Sequence, residues 1–236
     1  MNFDFLLFQD SFPQLIEATG TTLYYTLSSL FLGTLLAIFF SWILMAPTYS
    51  LVFTRLKTLI KIYVYFFRGT PLLVQLFLIY YGLGQFSDTL ETLGIWGLFQ
   101  KAWFCALVAL SLNTAAYSSQ MLIGSMKALP TGETEASQSL GLSYTQNFLY
   151  ILLPRAFRQI WPSYGNEVIL LLKATSLIST ITIVDLLGEA RNLASENFAP
   201  IEMFCAAGLI YLLMTSAIAF IFHHVESKNR QALEAH

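Results

Sequence analysis

The sequence predicts an all-α membrane protein of five transmembrane helices, with one short helix on a polar loop between the third and the fourth. Three observations carry this. Only 11% of the 236 residues are charged against 56% hydrophobic, whereas soluble domains carry about 25% charged residues. The apolar residues come in uncharged runs that reach the roughly 20 residues needed to cross a bilayer. The basic residues gather on alternate connections between those runs, the usual signature of membrane topology. A net charge of −2 gives no electrostatic footprint for a nucleic-acid partner. No phosphate-cradling Gly-rich loop occurs, so any ATPase has to be a separate chain.

The elements follow in order. Residues 1–18 hold Asp4, Asp10 and Glu17 but no Lys or Arg, so no cleaved signal peptide is expected. Phe3, Phe5, Leu6, Phe8, Phe12, Leu15 and Ile16 suit an interfacial helix on the outer face; a loose acidic tail is the alternative. Span one covers about 21–46, in a stretch without charge from Glu17 to Arg55, and Pro47 ends it. Arg55, Lys57 and Lys61 form a short basic loop. Span two covers about 62–84, and Gly69 and Pro71 loosen it. Polar groups in a span face the bundle interior, so Thr70 and Gln75 are candidates to line a pathway; Gln75 as a glue between helices is the competing reading.

Residues 85–101 form an outer loop with Asp88, Glu91 and Lys101, and a short interfacial helix is expected near 93–99. Span three covers about 102–126 without a formal charge, and its Asn113, Thr114 and Gln120 need partners. Span four covers about 164–185 and opens on Asn166-Glu167. Glu167 is free to pair with a basic residue of the preceding polar loop. Lys173, inside an apolar run, must face protein or water, either as a structural partner for an acid or helix end or as part of the pathway. Residues 185–202 read as an acidic outer loop, span five as about 203–222, and 225–236 as a tail. His223 and His224 read as interfacial residues rather than metal ligands, and Cys105 and Cys205 as small apolar residues rather than a disulfide.

Five spans put the termini on opposite sides. With the N-terminus outside, nine of the twelve basic residues are inside (Arg55, Lys57, Lys61, Arg68, Lys127, Arg155, Arg158, Lys228 and Arg230), two are outside (Lys101 and Arg191), and Lys173 lies within a span. The positive-inside rule then places the polar loop 131–154 on the cytoplasmic side. Pro130, Thr131 and Gly132 offer a helix start there, and Glu133 and Glu135 suit its positive end. Ala136 and Ser137 leave a low surface that a partner can approach. Gly141 relieves a turn, and Pro154 marks a further break.

The spacing of Glu135, Ala136, Ser137, Gly141, Ile151, Leu153 and Pro154 resembles the EAA loop of the permeases of type I ATP-binding-cassette importers, with Ser137 in place of a usual Ala. Phe67-Arg-Gly-Thr-Pro-Leu-Leu-Val-Gln75, Asn166-Glu167 and Leu170-Leu-Leu-Lys-Ala-Thr-Ser-Leu177 resemble the polar amino acid branch of that family. Within it the chain looks most like M-type permeases of arginine importers, with the histidine and lysine/arginine/ornithine importers next. The resemblance implies a MetI-like fold in the bacterial inner membrane and a loop that acts as a coupling helix on the ATPase. It also implies partners: a homologous Q-type permease or a second copy of this chain, two ATPase subunits that bind the ATP and Mg, and a periplasmic binding protein delivering L-arginine. Many relatives carry a Glu at the position of Gln120 and an Arg at that of Ile123, so the resemblance leaves open whether this subunit contacts substrate. No cofactor is expected on this chain, and it is no enzyme. A secondary carrier would need its own coupling acids within the spans, and an intramembrane enzyme a paired nucleophile and base; neither set is evident.

Overall fold

The structure is a computed structural model; it describes the backbone of residues 5–47 and 50–234 and side chains from residue 10 to residue 228 of these. The side chains of Phe3, Phe5, Leu6, Phe8 and Arg230 therefore lie outside the described residues.

Small residues set how the first helix packs. Helix α1 runs unbroken over Phe5–Met45, so the N-terminal segment and the first span are one rod. Its buried side carries a run of small residues, Thr22, Thr26, Ser29, Gly33, Ala37 and Ser41, with Leu15, Tyr25 and Ile43 buried beside them, while Leu27, Phe31, Leu35 and Phe39 point outward. Small residues inside and large apolar residues outside is the arrangement expected where lipid is the solvent and close backbone approach drives packing. The closest approach is at Gly33, where an added Cβ would sit 2.8 Å from Cβ of Thr114 and 2.9 Å from the carbonyl oxygen of Ser111.

Helix α6, Ala102–Ala128, is the axis of the fold, buried along its length from Cys105 to Met126. It packs on α1, and Ser41 donates across to the Ser119 carbonyl at 3.3 Å. Helix α2, Leu51–Gly69, begins well before the expected second span, with Ser50 capping it. Helix α3, Leu72–Phe77, continues through a π-turn to Gly82 and a 3-10 turn to Phe86. Short helices α4, Ser87–Thr92, and α5, Trp96–Phe99, then lead into α6. The two arms of the second span are bent by 115° at the break between Gly69 and Leu72.

Past α6 come α7, Thr131–Ser139, and α8, Tyr144–Asn147. The chain then stays helical through a π-turn over Phe148–Leu152 into α9, Leu153–Ala174. Pro154 thus does not break the chain: its ring would press on the carbonyl four residues back in a regular helix, and the wider turn just ahead makes room. A 3-10 stretch, Thr175–Ile181, ends at Thr182 with φ 73. The expected outer loop that follows contains an eleven-residue helix, α10, Leu186–Glu196, capped by Asp185, whose Oδ1 accepts from the Gly188 amide at 3.0 Å. Helix α11, Pro200–Glu234, closes the chain. Three helices are long and apolar enough to cross a membrane alone, and five crossings result if each bent pair counts as one. Cys105 is buried, Cys205 is exposed, and both are free thiols.

Candidate functional site: a polar break in the second span and a helix on the loop

Two assemblies stand out. The first is the break itself. Thr70 precedes proline and is held extended, at φ −119 and ψ 149, as a residue before proline should be. Pro71 has no N–H, so the Phe67 carbonyl, its partner four residues back, loses its helical donor. Gln75 replaces it. Its Nε2 lies 2.8 Å from the Phe67 oxygen and 2.9 Å from both the carbonyl and the hydroxyl oxygen of Thr70. Asn113 on α6 donates from Nδ2 to Gln75 Oε1 at 3.0 Å. Gln75 is 1% exposed, so a charged or polar solute outside the protein does not reach it in this chain.

On the other side of the break, Gln120 lines an open groove of about 460 Å³ with Lys61, Val64, Tyr65, Arg68 and Gly69. The Arg68 guanidinium sits 5.5 Å from the centre of the Tyr117 ring. Cations, an amide and an aromatic ring meet there without an acid among the lining residues. The other two candidates of the pathway set are elsewhere: Glu167 is buried in α9 at 7% exposure, and Lys173 is exposed in the last turn of the same helix.

The second assembly is the loop. Helix α7 buries only Ser137, whose hydroxyl donates to the Thr134 carbonyl at 2.8 Å. Glu135 and Ala136 are exposed. The helix ends as a full Schellman motif: Gly141, at φ +77, donates to the Gln138 carbonyl at 2.9 Å and Leu142 to that of Ser137 at 3.1 Å. This turn thrusts Leu140 out at 80% exposure. Ser143 and Gln146 then form a capping box that starts α8. From there the chain is anchored: the Tyr144 hydroxyl donates to the Trp42 carbonyl of α1 at 2.6 Å, and Phe148 is wholly buried. Leu152 is buried beside the half-buried Ile151 and Leu153, with Pro154 at the surface.

The structure thus brings Glu135, Ala136 and Gly141 together on a protruding tip and puts Ile151, Leu153 and Pro154 at its root. It joins Thr70, Gln75 and Asn113 by hydrogen bonds, while Glu167 and Lys173 lie on α9 outside that set. Sequence reasoning missed an ion pair between Arg155 and Glu133, which answers to the basic residue that follows Pro154 and the acid in the first turn of α7. Arg155 takes Glu133, not Glu167. It also missed the basic lining of the groove, which the spacing of Lys61 and Arg68 two turns apart on α2 foretells.

The chain is similar to known proteins over most of its length. The family described as "Binding-protein-dependent transport system inner membrane component" matches residues 30–231. The nopaline transport system permease protein NocM of Agrobacterium fabrum is 42% identical over 219 residues, covering 92% of this chain and 88% of that one. The arginine ABC transporter permease protein ArtM of Haemophilus influenzae is 40% identical over 222 residues, covering 94% and 95%. A chain in the crystal structure of an amino acid ABC transporter with histidines superposes with a TM-score of 0.82 at 30% identity, covering 97% of this chain and all of that one.

Proposed function

We infer the function from one premise: the chain belongs to the family of inner-membrane components of binding-protein-dependent transport systems. We propose that it is the permease subunit of an ATP-binding-cassette importer that carries a cationic amino acid, L-arginine first, across the bacterial inner membrane. The relatives named for arginine and for nopaline support a substrate of that kind. The N-terminus is periplasmic and the C-terminus cytoplasmic, by the distribution of basic residues. A homologous Q-type permease, or a second copy of this chain, completes the pathway. Two ATPase subunits bind ATP and Mg below it, and a periplasmic binding protein delivers the solute above.

The observation that carries this reading is the tip of the loop. A nine-residue helix that buries a single serine, followed by a leucine 80% exposed on a glycine turn, has too little contact with its own chain to be there for stability. It is shaped to enter a groove on a partner, so Glu135, Ala136, Ser137 and Gly141 form the contact with the ATPase, and Ile151, Leu153 and Pro154 connect it to α9. ATP binding draws the two ATPase subunits together, the loops follow, and the pathway opens outward; hydrolysis resets it. In the pathway, Thr70 and Gln120 face the solute at the break, Gln75 and Asn113 hold the break in shape, and Glu167 and Lys173 act higher on α9.

Gly141→Asp tests the loop. It replaces a residue at φ +77 with a charged one at the point of contact, and uptake should collapse while the chain inserts and accumulates normally. Normal uptake at normal protein level removes the assignment. For the substrate, the chain is co-expressed with its candidate partners, and ATP hydrolysis is measured with the binding protein loaded with arginine, histidine or nopaline. Strongest stimulation by arginine supports the proposal; stimulation by another of the three moves the substrate and leaves the permease reading standing. Gln120→Ala should lower uptake less than removal of the matching acid in the partner permease.

A further inference from the structure

We propose that the ion pair between Glu133 and Arg155 is a strut that passes movement of α7 straight into α9, making these two positioning residues for transport. The proposal rests on α7 being the part that meets the ATPase. Covalently, α7 hangs on two joints that are not helical. On one side Leu129 and Pro130 are extended, at ψ 147 and ψ 131. On the other, Gly141 turns through φ +77. A push on a helix held only by such joints would be absorbed by their backbone rotations.

The root beyond them does not yield in this way. Tyr144 is bonded to the Trp42 carbonyl, Phe148 is fully buried, and Ser125 of α6 lies 2.9 Å from Gln159 Oε1 of α9. Glu133 in the first turn of α7 and Arg155 in the first turn of α9 bridge the loose tip to this fixed root. With the chain through Gly141 and Ser143, the pair closes a triangle, and a closed triangle transmits a displacement that an open hinge dissipates. Helix α7 ends up with one salt link to the span it drives. The side chains of Arg155 and Glu133 are 50% and 27% exposed, and an ion pair so open to water contributes little to stability. Its removal should therefore leave folding and assembly intact and change only the transmission.

The test uses the whole complex in proteoliposomes, with binding protein and radiolabelled L-arginine. The quantity read is arginine imported per ATP hydrolysed. Glu133→Gln and Arg155→Gln should each lower that ratio two- to fivefold at unchanged assembly yield, because ATP continues to be hydrolysed while the span follows less. The exchanged pair Glu133→Arg with Arg155→Glu should recover the ratio to within twofold of the original. Gly141→Asp, measured alongside, reports on the loop itself. Single variants at the original ratio while Gly141→Asp uncouples would overturn the strut and leave the loop reading standing. Single variants that uncouple without recovery in the exchanged pair would also overturn it, since each residue then acts alone. If Gly141→Asp is silent as well, both readings fall together.

Discussion

Replacing Gln75 by Met keeps the length of the side chain and removes its amide. Two carbonyl oxygens, of Phe67 and Thr70, lose donors at 2.8 and 2.9 Å, and the Asn113 amide loses an acceptor at 3.0 Å. Gln75 is 1% exposed, so water does not replace these bonds in place. Each buried group left without a partner costs about 1–3 kcal/mol, but bonds between membrane helices average about 0.6 kcal/mol with a maximum of about 1.7. The Phe67 carbonyl cannot recover a helical donor from proline, but it keeps the Asn113 amide at 3.4 Å, so both groups are weakened rather than left bare. The sum for Gln75→Met is then about 1–3 kcal/mol, with a coupling to Asn113→Leu of about 0.6–1.7 kcal/mol in a double-mutant cycle. The assay is SDS-induced unfolding of the purified permease complex in mixed micelles, for both single variants and the pair. A Gln75→Met protein within about 0.5 kcal/mol of the original, with strict additivity toward Asn113→Leu, would refute the idea that this side chain closes the break.

Other substitutions follow from close approaches. Gly33→Ala puts a methyl 2.8 Å from the Thr114 side chain and 2.9 Å from a backbone carbonyl; α1 and α6 must part, at about 1–3 kcal/mol, and the thermal midpoint should drop, whereas Gly124→Ala, with open space around it, should not lower it. Gly165→Ala meets Cγ of Phe222 at 2.7 Å and its Cβ at 3.1 Å, the root of a side chain stacked on Trp161, so α9 and α11 must part and the thermal midpoint should drop here too. Tyr144→Phe removes the bond to the Trp42 carbonyl at 2.6 Å; about 1 kcal/mol is lost, and limited proteolysis between Leu140 and Ser143 should speed up.

The long rods were legible because lipid solvation leaves a coarse signal. Uncharged runs mark α1, α6 and α11, and small residues three and four apart mark the faces they turn to one another. The start of α7 after Pro130 and the turn at Gly141 were legible from local backbone chemistry. The beginning of α2 was not, because Arg55, Lys57 and Lys61 interrupt the apolar pattern of a helix that runs from Leu51. Nor was α10, whose charged residues read as loop until Asp185 is seen to cap it. Gly69 and Pro71 announced a weak point without its angle, which depends on how Gln75 and Asn113 satisfy the freed carbonyl. The pair of Glu133 and Arg155, 22 positions apart, needed the path of the chain around Gly141 to be known. Pro154 misled for a related reason: a proline's effect depends on whether the turn ahead of it can widen.

That widened turn, Phe148–Leu152, sets an angular phase. A π-turn holds one residue more than an α-turn, and each residue of a helix advances the azimuth by about 100°. The protruding tip and the span are therefore offset by about a quarter of a revolution from what an unbroken helix from Tyr144 to Ala174 would give. Like the keyway that times a cam on its shaft, one extra residue fixes the compass bearing at which the tip meets whatever lies below, independently of how the upper part of α9 is packed.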